Sequence, residues 1–183
     1  MLAKTLFAVL IGLVGAALLH VVIILALPHF TGRDAYTRIL ALGESNRFAR
    51  LGNTPDPEGL ANNDPFLKVA VCGFDVEALP VRLSARGAVP FWSLAIFDSA
   101  SNEVFSMNDR TSVGGVLDVV LASPIQMTAL RKALPEALAQ AILVEMPRAD
   151  GYAVIRTLAP QTSFAPAADN FLAEASCQQF TTR

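Results

Sequence analysis

Few residues in this chain have the type and spacing that chemistry needs. Paired carboxylates come first: Asp98 with Asp109, or Glu145 with Asp150, are the combinations that would serve glycoside hydrolysis, in which one carboxyl protonates the leaving oxygen while the other attacks or activates water. The chain carries 16 acidic residues, so such pairs arise by chance, and an enzyme is the minority expectation. The run Asn108-Asp109-Arg110 is denser, and beside Trp92 it could line a pocket for a carbohydrate or a lipid. Its ordinary reading is the polar end of a β-hairpin, with Asn and Asp closing a turn and Arg pairing with a neighbouring carboxylate.

Other constellations lack a central member. The only histidines are His20, inside an apolar run, and His29, just after it, so a Ser-His-Asp triad or a histidine-based metal site is not expected. Cys72 and Cys177 are too widely separated for a zinc pattern, and no glycine-rich phosphate-binding motif is present. No cofactor and no metal are expected. With a net charge of −2 and basic residues scattered singly, the chain has no electrostatic footprint for nucleic acid. In an oxidising compartment Cys72, on the first strand, and Cys177, at the end of the last helix, are the one possible intramolecular disulfide. The alternative is a buried apolar Cys72 and a free thiol at Cys177.

These residues must be positioned by elements whose composition points to lipid. Hydrophobic residues make up 53% of the 183 and charged ones 16%, a balance more apolar than that of an ordinary soluble domain, and mean hydropathy is +0.46. Thr5 to Leu27 contains no charged residue and stops at Pro28, long enough to cross a hydrocarbon core about 30 Å thick. Lys4 and the small residues Gly15-Ala16-Ala17 would also suit a cleaved signal peptide, but the run continues apolar beyond Ala17, which favours an uncleaved anchor. Lys4 and the amino terminus stand on one side against Arg33, Arg38 and Arg47 on the other, a count that favours a cytoplasmic body. The signal-anchor look of the short N-terminal tail favours export instead, and export is the reading adopted, with the body in the periplasm of an inner-membrane protein. Gly12, Ala16 and His20 recur at intervals of four and share one helix face, a smooth strip ending in a hydrogen-bonding group that suits a membrane protein partner.

Beyond the anchor, residues 29–65 read as a juxtamembrane segment. Tyr36, Ile39, Leu40 and Leu42 suit a short helix packed on the body or lying on the membrane surface, and Leu51 to Pro65 is a Pro-, Gly- and Asn-rich loop. From residue 66 to 183 the pattern becomes seven short β-like runs with turn signals between them. Helical pieces divided at Pro135 precede the sixth run, and a last short helix starts near Pro166 and passes through Phe171 and Leu172. This predicts a mainly β domain, a β-sandwich or partly open barrel with small flanking helices, preceded by one transmembrane helix. The strand Phe91 to Asp98 is apolar on both faces and should be central, with a hairpin loop at Asp98–Asn102.

The run PVRLSARGAVPFWSLAIFDSASNEVFSMNDRTSVGGVLDVVLASP, with its Pro-Val strand, aromatic strand, Asp-led turn and return strand, resembles the core of the bacterial domain-of-unknown-function family 1254. ILVEMPRADGYAVIRTLAP is similar to that family's closing strands, and the likeness covers about half the chain, from Asp64 to Ala159. It implies a β-rich envelope protein, with no catalytic residue to carry over. The family's members often carry a second β domain; none is recognised here, so a separate partner is expected to supply that half. The function expected is a non-catalytic, membrane-anchored accessory or interaction subunit of a bacterial envelope complex. A carbohydrate- or lipid-binding domain is the alternative, and a carboxylate-dependent hydrolase the remote one.

Overall fold

Alternating and doubly apolar runs give strands here, and where the period lengthens the chain coils. The architecture is taken from a computed structural model that describes residues 2–30, 34–61 and 64–181, with backbone alone for 28–30. Arg33, used in the charge count, Asn62 and Asn63 of the expected loop, and the side chain of His29 lie outside the described residues. Two compact units divide after Asp34.

The first unit is helix α1 (Leu2–Phe30). Its stretch Leu2–Leu27, 26 residues long with mean hydropathy 2.8, has none of its most apolar window buried. It is long and apolar enough to cross a membrane, and a signal sequence has the same character.

The second unit is β-rich. One five-stranded sheet runs in the order β1 (Ala49–Arg50), β2 (Leu67–Asp75), β8 (Asp150–Leu158), β4 (Trp92–Asp98), β5 (Glu103–Asn108). A four-stranded sheet runs β7 (Ile142–Glu145), β6 (Leu117–Ala122), β3 (Val81–Ala85), β9 (Ser176–Gln179). These are two separate sheets, and the barrel alternative does not describe them. The strand at Trp92–Asp98 is interior, as its doubly apolar faces require. Two strands escaped the sequence reading: β1, of two residues, and β9, whose Ser-Cys-Gln-Gln has no alternation to detect. Cys177 therefore lies on a strand, opposite Leu83 of β3, and not at a helix end.

One core cluster draws on both sheets, with Cys72, Phe74, Leu94, Ile96 and Ile155 from the larger and Val81, Leu83, Leu117, Val119 and Leu121 from the smaller. At Gly151 of β8 an added Cβ would run into the Phe97 carbonyl oxygen and the Phe74 ring, so close strand packing depends on a missing side chain there.

Helices cover part of each outer face. α2 (Ala35–Ala41) places Ile39 with Val69, Val71, Tyr152 and Val154 on the larger sheet, so the short helix predicted near Tyr36 packs on the body. α3 (Pro124–Lys132) fills the parallel crossover from β6 to β7, a connection that parallel strands require. Its start is set by a capping box: Ser123 Oγ accepts from the Gln126 N–H at 3.4 Å and Gln126 Oε1 accepts from the Ser123 N–H at 3.0 Å. Met127 and Leu130, with Leu138 of the 3₁₀ turn that follows Pro135, bury Val120 and Ala122 of β6. The other half of that sheet's outer face stays open. α4 (Ala165–Ala173) sends Phe171 and Leu172 into the core.

Candidate functional site

The Asn108-Asp109-Arg110 run is a turn. Asn108 Oδ1 accepts from the backbone N–H of Arg110 at 3.0 Å and of Thr111 at 3.2 Å, and the Ser112 hydroxyl donates to the Asp109 carbonyl at 2.9 Å. An Asn side chain imitating a backbone turn explains the residue type fully. Trp92 faces inward: it is 2% exposed, stacks on Phe171 with centroids 6.4 Å apart, and donates its indole N–H to the Gly115 carbonyl at 3.1 Å. The trio and the indole do not combine into an open ligand surface.

The proposed carboxylate pairs are placed on different elements or at opposite ends of one strand. The Asp109 N–H donates to the Trp92 carbonyl, so Asp109 sits at the start of β4 and Asp98 at its end, roughly 20 Å away at a strand's rise per residue. Glycoside hydrolysis needs carboxyls within about 10 Å. Glu145 ends β7 in one sheet and reaches toward Arg131 at 3.9 Å, whereas Asp150 begins β8 in the other, opposite Asp75.

Asp98 is 4% exposed and structural. Burial pushes its carboxyl upward, but the Asn102 side chain, the backbone N–H groups of Asn102 and Ala100, and the Arg148 guanidinium at 3.7 Å together hold it below the ordinary carboxylate range. That tie closes the β4–β5 hairpin.

Cys72 and Cys177 form a disulfide between β2 of the larger sheet and β9 of the smaller, the pair raised from the sequence. On α1, Gly12, Ala16 and His20 fall on one exposed face, and nothing lies within 4 Å of a Cβ built at Gly12.

Sequence reasoning missed the most elaborated polar surface, the open half of the smaller sheet's outer face. Arg82 of β3 donates to Asp118 of β6 through two parallel bonds, Nε to Oδ1 at 2.8 Å and Nη2 to Oδ2 at 2.7 Å. Nη2 also donates to the Ala137 carbonyl at 3.1 Å, and the guanidinium lies 6.0 Å from the centre of the Phe180 ring. The hydrogen bond to Asp118 raises the Arg82 pKa, outweighing burial. Register sets Asp118, Ser84 and Ser176 directly opposite one another on three successive strands, with Arg82 opposite Gln178 in the next row. Two cavities of about 380 and 360 Å³ flank the ion pair, one toward β9 and Phe180, the other toward Gln140 and Ile142. They share Arg82, Arg86, Val116 and Asp118, and so form one groove. A signal was present: Val81-Arg82-Leu83-Ser84-Ala85 alternates cleanly, and its polar face is this surface.

No protein-family model matches the chain, and no curated protein does. Among solved structures it is similar to the VPA0106 protein from Vibrio parahaemolyticus, with 16% identity and a TM-score of 0.56 over 75% of this chain and 31% of that one. A second match is an uncharacterised protein from Burkholderia cenocepacia, at 13% identity and a TM-score of 0.46 over 79% and 38%. The first likeness is one of fold alone. The chain spans about a third of the length of the solved structures it matches.

Proposed function

We propose that this chain is a non-catalytic accessory or interaction subunit of a bacterial envelope, held in the inner membrane by α1 with its body in the periplasm. The observation that carries the reading is a pairing of extremes in one chain. A 26-residue apolar helix has its most apolar window wholly exposed, while the body is closed by a disulfide between buried cysteines. Apolar surface on that scale needs lipid or a partner to cover it. Structural disulfides belong to oxidising compartments. Together they support an anchor with an exported body, against the charge count that favours the cytoplasm.

The core cluster shared by the two sheets supports a β-sandwich as the finer description of the body. The likeness to family 1254 belongs to the same proposal and supplies the envelope setting. A binding role is favoured over hydrolysis because Asp98 and Asp109 are held at opposite ends of β4 and Glu145 and Asp150 belong to different sheets. If a ligand is bound, the groove at Arg82–Asp118 is better built for it than the buried Trp92.

The partner proposed for the membrane is a helix docking along Gly12, Ala16 and His20. The test exchanges Thr5–Leu27 for an unrelated single-pass anchor of equal length. Loss of the co-purifying membrane protein, with the body still exported, is expected; retention of that protein would move the partner's site to the body.

A further inference from the structure

The groove over the smaller sheet presents side chains in ranks and is nearly balanced in charge. Its charged residues are Arg82 and Arg86 against Asp118, Glu136 and Glu174. The first arginine is already neutralised by its doubly bonded aspartate. What remains is a set of hydroxyl and amide groups: Ser84 and Ser176, paired across β3 and β9 at the inter-strand spacing of about 4.8 Å, and Gln178 two residues further along β9, with the apolar edge of Phe180 at one end.

We infer that this groove binds a neutral, polyhydroxylated linear ligand: an oligosaccharide segment lying across the strands of the smaller sheet. Three observations favour a glycan over other polymers. The near balance of charge gives no affinity for a strongly anionic chain, whose binding depends on unpaired cations. β3 and β6, at the centre of the floor, are each hydrogen-bonded to a strand on both sides, so a peptide could pair as an added strand only along the sheet's edges at β7 and β9, away from the ion pair. A planar guanidinium and carboxylate locked against each other, with hydroxyls and amides around them, form a rigid array of donors and acceptors that costs little to order when sugar hydroxyls replace water. Phe180, stacked with Arg82, adds an apolar surface for the C–H face of a ring.

This inference deepens the binding role proposed above, and its test is independent of where the body resides. Purified full-length chain in detergent is applied to an array of glucose, mannose and N-acetylglucosamine tetramers, with a sulfated tetrasaccharide and an unstructured peptide alongside. At least one neutral tetramer should be retained. Gln178→Ala and Arg86→Ala, both at exposed positions, should each weaken that binding about tenfold, the scale of a lost hydrogen bond to a polar ligand. Ile125→Ser, on the 84% exposed side chain of α3, should leave it unchanged. The inference is overturned if no neutral tetramer is retained, if the sulfated sugar or the peptide binds in preference, or if the two groove variants bind like the native chain. None of those outcomes bears on export, which is read by a separate measurement.

Discussion

Arg82 of β3 and Asp118 of β6, diagonal neighbours in the strand register, join as a doubly hydrogen-bonded ion pair with side-chain exposures of 28% and 20%. Neither is fully solvated, so removing one leaves the other short of partners in a site water reaches only partly.

Arg82→Ala should therefore destabilise the body by about 1–2 kcal/mol, between the values for exposed and buried pairs. Asp118→Ala should cost a similar amount. The double variant should cost less than the sum of the two, because the second change removes a partner already orphaned. Denaturant unfolding of the four forms measures this, and strict additivity would show that the pair is not coupled.

Acid should loosen the β4–β5 hairpin. The Asp98 carboxyl is held below its ordinary value in the folded chain, so the unfolded chain takes up that proton first as pH falls. The stability it contributes is present above the unfolded pKa, about 4, and is lost as pH drops through the lower folded value. Asp98→Asn should lower stability at neutral pH and flatten the fall below about pH 4. An equal pH dependence in the variant and the native chain would rule Asp98 out as a contributor.

The Cys72–Cys177 bond closes a loop with a sequence separation of 105, for which chain entropy predicts a stabilisation of about 4–5 kcal/mol. Cys177→Ser should lower the melting temperature by roughly 10–15 °C. Among the described residues β9 pairs only with β3, so hydrogen exchange should rise there first. Unchanged melting would mean the bond is absent from the protein in solution.

Much of the body was legible because its strands are long or apolar enough to show their period, as at Leu67–Asp75 and Asp150–Leu158. The Asp98–Asn102 loop and the break at Pro135 were equally legible, since turn and breaker residues act locally. What stayed hidden depends on distant neighbours. β9 is a strand because β3 lies beside it, not because Ser-Cys-Gln-Gln prefers to extend. The inward direction of Trp92 could not be read from a strand apolar on both faces. Arg82 and Asp118 stand 36 positions apart, so only the pairing of β3 with β6 brings them together.

On α1 the proposal is packing along small residues. Replacing Gly12 and Ala16 by Leu should release the membrane partner without affecting insertion, since Leu favours the bilayer at least as well. His20→Leu should weaken association less, because measured hydrogen bonds between membrane helices average about 0.6 kcal/mol. Cross-linking yield in the membrane reports both. A larger loss from His20→Leu than from the pair would make the imidazole the dominant contact.

The central claim, an anchored chain whose body lies outside the cytoplasm, is tested most directly by paired reporter fusions after Arg183. One is an alkaline phosphatase, active only where disulfides form, and the other a fluorescent protein that matures only in the cytoplasm. Export predicts an active phosphatase and a dark fluorescent protein, both sedimenting with the membrane. A bright fluorescent fusion with an inactive phosphatase would contradict the account and restore the orientation favoured by the arginines beyond the helix.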